Sequence, residues 1–245
     1  MNPALAGALA RGDIRRGDAF AVAPAPTLAR GFPARDAELP GGGWPRGALT
    51  ELLAEDEGIG ELGLLLPALA ALGTTGSSIL LLAPPHAVHA PAWAAAGLDL
   101  AGLRLVFPRS PRDALWAGVE ALRCGGVGAT LLWPDALFRG TLPAGSLRRL
   151  QVAAGEGGGG AFCFRPVQFA PAASPASLRL QLQPAPAGVG QLRVTLLKRR
   201  GPPARQAILL DVGSPATLSQ ASSHVVAGAA LPAAGERPER RRVLA

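Results

Sequence analysis

A chain of 245 residues with 49% hydrophobic residues suits one core domain with extensions or two small domains, and it can bury a sizeable core. The formal net charge is +7 and comes almost wholly from arginine, since Lys198 is the one lysine; a GC-rich genome explains this usage as well as a nucleic-acid surface does. The longest apolar stretch, residues 62–73, is too short to span a bilayer, and the N-terminus lacks the hydrophobic segment of a secretory signal, so we expect a cytoplasmic protein with no membrane contact.

The first part of the chain predicts a polar lead-in followed by the start of a core. Residues 1–35 contain arginines and one short predicted helix, and prolines punctuate their exit. A buried strand is predicted over 48–53 and a helix over 60–72, in which Pro67 fits only as a kink or if the helix begins late. The apolar run over 78–83 is typical of a strand buried on both faces of a parallel sheet.

Helix and strand then continue to alternate. A helix start is predicted at Ser110, where Ser serves as N-cap, Pro111 occupies the first turn and Asp113 lies three residues after the cap. The other elements predicted in this part are a short helix over 90–96, a helix over 146–154, and strands over 103–107, 129–133 and 161–164.

The pattern changes after residue 176. Residues 177–183 and 191–197 alternate apolar and polar side chains, which predicts a hairpin with one solvated face, and 206–212 supplies one more strand. Alternation followed by a meander predicts an α/β fold with a mostly parallel sheet flanked by helices and antiparallel strands at the C-terminal edge. The core then spans 36–212, and 213–245 is predicted to be a disordered basic tail.

The stretch between the first predicted strand and helix has the outline of a phosphate-binding loop. Such a loop needs glycines, then Lys for the phosphates and Ser or Thr for Mg²⁺, at the start of a helix. Gly58 and Gly60 supply the glycines, but Glu61 and Leu62 follow them. A carboxylate repels a triphosphate and Leu cannot ligate a metal, so we expect an NTPase-like fold without the activity and without a nucleotide cofactor. The two glycine amides could still cradle an anion, although Glu61 would already occupy the helix dipole.

Other side chains with chemical potential form no recognisable catalytic set. Cys124 and Cys163 lie in apolar contexts and are predicted to be buried thiols in a reducing compartment. His86 and His89 could share a helix face, but no third ligand is near in sequence, so no metal site is predicted.

Tryptophans and a basic cluster provide the candidate contact residues. We interpret the tryptophans as packing residues, with Trp44 as the best candidate for an exposed anchor at a partner interface because it stands in a Gly/Pro-rich loop. Lys198, Arg199, Arg200 and Arg205 are either a solvated loop or a contact to DNA phosphates or an acidic partner. Aromatic residues are not interleaved with this cluster, so base stacking there is unsupported.

Several strings together resemble known proteins. GGGWPRG at 41–47, GIGE at 58–61 and PHA at 85–87 are similar to parts of the RecA-like ATPase core, over about residues 36–212. The resemblance places Pro85 where those enzymes have a catalytic Glu, and Trp133 where a strand should end in a magnesium-orienting Asp, with Asp135 two residues later. Parts that phosphoryl transfer needs are therefore missing.

The strings PGGGWPRGALTELL, GIGEL, LAPPHAVHAPAWAAAGLDL and LLKRRG in combination closely resemble the ImuA family of translesion-synthesis-associated proteins. That resemblance implies a non-catalytic role in damage-induced, SOS-type lesion bypass. The implied partners are an ImuB-like homologue of Y-family polymerases, an error-prone C-family polymerase α subunit and RecA. Two alternatives are an active RecA-like ATPase, which the missing residues oppose, and a SulA-type cell-division inhibitor, which the triple-Gly string and long tails fit less well.

Overall fold

Ten strands and four α-helices make up the computed structural model, which describes residues 26–29, 42–135, 142–186, 190–199 and 207–213. The strands are β1 (Thr27–Ala29), β2 (Gly43–Pro45), β3 (Ala48–Ala54), β4 (Ser78–Leu82), β5 (Leu103–Val106), β6 (Val127–Leu132), β7 (Gly160–Pro166), β8 (Leu178–Pro184), β9 (Gln191–Lys198) and β10 (Ile208–Asp211). The helices are α1 (Leu66–Gly73), α2 (Ala90–Ala95), α3 (Pro111–Arg123) and α4 (Ser146–Gly157). The predicted lead-in helix and the tail after 213 lie outside the described residues.

One sheet of eight strands organises the chain, in the order β10-β9-β8-β3-β7-β6-β4-β5. All pairs from β8 to β5 in this order are parallel, whereas β8–β9 and β9–β10 are antiparallel. The small strands β1 and β2 form a separate antiparallel pair. The predicted α/β class, with a mostly parallel sheet and antiparallel strands on the C-terminal side, is thereby confirmed at this level.

Each face of the sheet buries its own apolar cluster, because side chains alternate along buried parallel strands. In β4, Ile79 and Leu81 join the larger cluster with α1 and α2, while Leu82 joins the smaller one with α3 and α4. Phe162 and Cys163 divide in the same way in β7. The helices therefore cover both faces and leave the carboxyl ends of the parallel strands as the open edge.

Local capping rules explain where two of the helices begin. The Asp113 amide donates to Ser110 Oγ at 3.2 Å, and Ser110 Oγ donates to the Asp113 carboxylate at 2.8 Å, which confirms the predicted start of α3. The predicted helix over 60–72 is wrong in its first turns. It begins only at Leu66, because Pro67 lacks an amide hydrogen and is tolerated only in a first turn.

Tryptophan placement corrects the sequence interpretation twice. Trp44 is fully buried, 0% exposed, and packs edge-to-face on Phe162 with ring centroids 5.5 Å apart, so it cannot be an exposed anchor. Trp116, expected to be a packing residue, is 64% exposed on α3. Trp93 and Trp133 are buried as predicted. In the described residues no helix combines the length and apolar character needed to cross a membrane.

Of the two thiols predicted to be buried, Cys163 is buried, whereas the prediction is wrong for Cys124, which is exposed. Burial, reinforced by the Glu51 charge, raises the pKa of the Cys163 thiol well above its ordinary value, so its reactive thiolate is scarce. We therefore expect a maleimide to label Cys124 rapidly in the native protein and Cys163 only after denaturation. Mass spectrometry of the labelled chain checks this, and equal native labelling rates at both positions would contradict it.

Candidate functional site

Two cavities open at the carboxyl edge of the parallel strands, where α/β proteins usually bind ligands. One, of about 270 Å³, lies beyond the ends of β3 and β7, and the other, of about 360 Å³, lies beside the loop that leads to α1. Glu61 and Trp133 line both cavities. The loop predicted to resemble a phosphate site is thus located where a ligand would bind.

The side chain of Glu61 occupies the amides of the loop to which it belongs, residues 58–61. The Gly58 amide donates to Glu61 Oε1 at 3.0 Å, and the Gly60 amide donates to Oε2 at 3.1 Å. Both glycines have positive φ, +76° and +105°, a backbone conformation that points successive amides inward and that other residues rarely adopt. The Glu61 carboxylate therefore already accepts hydrogen bonds from both glycine amides of the loop.

The start of α1 removes a second requirement of a phosphate site. The helix begins five residues after Glu61, so Gly58 and Gly60 do not stand at a helix N-terminus and its dipole does not act on them. The sequence-based expectation on this point is wrong. Leu62, at the position of the metal-binding hydroxyl, is half-buried against the larger apolar cluster.

Acidic side chains line the smaller cavity. Glu55, Asp56 and Glu57 follow directly after β3, and all three are exposed at its rim. Glu57 also approaches His86 Nε2 at 2.7 Å. Among the described residues that line this cavity, Arg165 is the one cation, and its charge is already engaged. The local field at the rim therefore repels a nucleotide's phosphates.

Below the cavity lies a buried network of two carboxylates and two guanidinium groups. Arg165 donates from Nε to Asp135 Oδ2 at 2.9 Å and from Nη1 to Glu51 Oε1 at 3.2 Å. Arg179 donates from Nε to Glu51 Oε2 at 2.6 Å. All four side chains are buried. Asp135 does reach the carboxyl edge, but its carboxylate is committed to Arg165 and is not available to orient Mg²⁺.

Arg165 holds its charge within this network. Burial alone would lower its pKa, but the hydrogen bond and charge of Asp135, together with Glu51, outweigh burial and raise the pKa above the ordinary value. The Phe169 ring lies 4.0 Å from Arg165 Cζ and covers the guanidinium. Arg165 therefore stays charged at neutral pH, and the buried, mutually bonded network is structural in character.

The sequence pattern did not predict this buried network of charges. The alternation over 177–183 predicted a solvated face that would include Arg179, yet Arg179 is buried and also donates to backbone carbonyls of residues 169, 170 and 172. The signal available in sequence was a charge within each of two buried strands, Glu51 in β3 and Arg165 in β7. Charges are rarely buried unless they are paired, so such residues predict partners.

The remaining predicted residues are dispersed. Pro85 lines the larger cavity, and its side chain offers no proton acceptor. Lys198 ends β9 and donates to the Ser174 carbonyl at 2.7 Å, and Arg199 beside it is half-buried. Arg200 and Arg205 lie outside the described residues. No group of three His, Cys, Asp or Glu residues in the described part of the chain is arranged to hold a metal ion.

The fold and the edge cavities define an α/β protein with a mostly parallel sheet and a self-occupied loop at its ligand edge. Comparison of the chain with models of protein families gives no match, and comparison with curated proteins gives none either.

Proposed function

We propose that this protein is a non-catalytic accessory subunit of a damage-induced translesion synthesis complex, with a RecA-like core whose nucleotide site is closed from within. The observation that carries the non-catalytic part is the Glu61 carboxylate on the amides of Gly58 and Gly60. A mostly parallel sheet with cavities at its carboxyl edge is compatible with a RecA-like core. The lesion-bypass part rests on the resemblance to the ImuA family.

Phosphoryl transfer needs a cation at the phosphates, a metal ligand and a residue that orients water. Here an acid stands where the cation belongs, and Leu62 is packed against apolar side chains. Asp135, the remaining candidate for the metal, is paired with Arg165 at 2.9 Å. An adaptor needs none of these groups, only a stable fold and surfaces, and the buried ion network supplies part of that stability.

The proposed partners follow from the same resemblance: an ImuB-like homologue of Y-family polymerases, an error-prone C-family polymerase α subunit, and RecA. A cytoplasmic location accompanies this role. In such a complex the protein would bring polymerases together without consuming nucleotide, and no cofactor is required.

Adding ATP and Mg²⁺ is expected to produce no binding heat and no phosphate release, because Glu61 and the acidic rim oppose the triphosphate. Isothermal calorimetry and a phosphate-release assay measure the two quantities. Glu61→Lys should not restore turnover, since Pro85 and Trp133 still occupy the catalytic positions. Glu120→Lys, which makes the same charge change at an exposed position on α3 that lines neither cavity, is the matched control. Micromolar ATP affinity in the unaltered protein would refute the closed site.

The adaptor role has its own test, independent of nucleotide. The purified full chain is mixed separately with the ImuB-like homologue, the C-family α subunit and the tubulin-like division protein. Co-elution with a polymerase partner and not with the division protein is the expected result. Capture of the division protein alone would instead support the SulA-type reading and exclude the proposed role.

Charge reversal at Lys198, Arg199 and Arg200 is expected to weaken partner or DNA association while leaving the fold intact. Lys198 and its bond to the Ser174 carbonyl are exposed, and exposed charges contribute little to stability, so reversing Lys198 is expected to cost about 1 kcal/mol or less. For duplex DNA, each lost phosphate contact should flatten the salt dependence by ~0.9 of a slope unit. For a protein partner, the change should appear mainly in the association rate.

Arg193→Glu, an exposed substitution on the same strand β9, is the matched control for this experiment. Binding to DNA and to the polymerase partner is measured over a salt series for the triple variant and the control. If the triple variant and Arg193→Glu give the same curves for both ligands, the cluster is a solvated loop.

A further inference from the structure

The outer surface of the helix pair α3–α4 combines an exposed tryptophan with arginines that form no ion pair with any described residue. We name Arg112, Trp116, Arg148 and Arg149, with the groove between the helices, the α3–α4 face. The groove has a volume of about 420 Å³, and Val119, Arg148 and Val152 are among the residues that line it. Trp116 lies one turn before Val119, so it flanks the groove.

The spacing on α3 places the charged side chain of Arg112 beside the ring of Trp116. Arg112 and Trp116 are four residues apart on the helix and therefore neighbours on one face. Trp116 is 64% exposed, in contrast to the buried Trp44, Trp93 and Trp133. Against the described residues the Trp116 ring stays mostly exposed beside an arginine, and an exposed aromatic ring of this kind is suited to an external partner.

The charges on and beside the face sum to +1, from the four arginines Arg112, Arg123, Arg148 and Arg149 less the three acids Asp113, Glu120 and Glu156. Asp113 is held by the Ser110 hydroxyl at the helix start. Glu120 and Glu156 both pair with Arg123, at 3.5 and 2.6 Å. Within the described part of the chain, the three remaining arginines of the face, Arg112, Arg148 and Arg149, form no ion pair, and all three are exposed.

We propose that the α3–α4 face binds single-stranded nucleic acid without sequence preference, with Trp116 stacking on a base and Arg112, Arg148 and Arg149 contacting phosphates. Arginines track a phosphate backbone, and an aromatic face stacks on any base, which is the combination that single-strand binding surfaces use. A duplex fits less well, because its bases are already stacked on one another and offer no free ring to Trp116. Binding at this face does not depend on the lesion-bypass role or on the basic cluster at Lys198.

Fluorescence anisotropy of a labelled 20-nucleotide oligothymidylate with the full-length protein tests the proposal over a salt series. Trp116→Ala should weaken binding about tenfold at constant salt slope, and Trp116→Phe should recover part of the loss. Arg112→Gln with Arg148→Gln and Arg149→Gln should flatten the slope by about two units, at ~0.7 per lost cation. Circular dichroism should show the fold unchanged in every variant, since all four side chains are exposed.

Controls separate this face from other sources of binding. Arg193→Gln removes an exposed arginine from β9, which lies near the end of the sheet opposite β5. Because it removes only one screened charge, it should change the oligothymidylate affinity by no more than about twofold relative to the unaltered protein. A 20-base-pair duplex should show no Trp116 dependence, and an oligouridylate of equal length distinguishes RNA from DNA as the source. Unchanged oligothymidylate affinity in Trp116→Ala, or an unchanged slope in the triple variant, would overturn the proposal. A polyglutamate peptide that binds the face more tightly than the oligonucleotide would overturn it in favour of protein docking.

Discussion

Arg165→Ala is expected to lower the free energy of unfolding by about 3–5 kcal/mol, the usual cost of removing one partner from a buried ion pair. Without Arg165 the Asp135 carboxylate loses both of its guanidinium bonds, at 2.9 and 3.4 Å, and Glu51 keeps only Arg179. A buried carboxylate without a partner must either remain charged at high cost or take up a proton. Urea denaturation followed by fluorescence measures the change.

Two further variants show whether the stability lost in Arg165→Ala comes from an unpaired buried charge. Arg193→Ala deletes the same side chain from an exposed position on β9 and should change stability by no more than about 0.5 kcal/mol. Arg165→Met combined with Asp135→Leu removes the orphaned carboxylate and should recover part of the loss. A drop below 1 kcal/mol for Arg165→Ala would mean that water or rearrangement satisfies Asp135.

The pH dependence of the Arg165 contribution to stability follows from the direction in which its pKa is shifted. The pKa of Arg165 is raised in the folded protein, so its stabilisation is fully present at neutral pH and is lost only as strong alkali deprotonates the folded-state group. We therefore expect Arg165 itself to add no pH dependence to the unfolding free energy of the unaltered protein between about pH 6 and 9. Titration of the unfolding free energy over that range checks it.

Trp44→Ala is expected to cost about 3–5 kcal/mol, because the indole is fully buried and its loss leaves a cavity against Phe162. The substitution should also expose the junction between β2 and the sheet, since Trp44 belongs to the small β1–β2 pair. Chemical denaturation measures the effect. A partner-binding role for Trp44 would give the opposite result, with binding lost and stability kept.

Trp116→Ala is the matched control, because it removes the same ring from a position that is 64% exposed. Its effect on unfolding should be within about 0.5 kcal/mol. If both tryptophan variants lose equal stability, the assignment of Trp44 to the core and Trp116 to the surface is wrong.

Regular structure was largely readable from local patterns. The buried strand predicted over 48–53 corresponds to β3. The apolar run over 78–83 corresponds to β4, because a strand covered on both faces needs apolar side chains on both. Ser110 and Asp113 marked the start of α3, because capping is a contact between residues three apart. Pro67 offered two interpretations, and the late start of α1 is the one that the backbone takes.

The closed loop was only partly predictable. Glu61 and Leu62 indicated that a triphosphate would be opposed, since that follows from residue type alone. The direct bonds from the Gly58 and Gly60 amides to Glu61 depend on backbone angles that no residue pattern specifies. The same limit applies to Asp135, which lay two residues past the expected position and still reaches the carboxyl edge.

By itself, the sequence determined the α/β alternation, the change to a meander after β7 and the absence of Lys and Ser/Thr from the phosphate-like loop, because each depends on neighbours in the chain. Only the tertiary structure decided which charges pair and which of the four tryptophans is exposed. Arg179 lies 128 residues from its partner Glu51, and Arg165 lies 30 from Asp135. Periodicity shows which side chains share a face, but only the packing of distant elements determines whether that face meets solvent or protein.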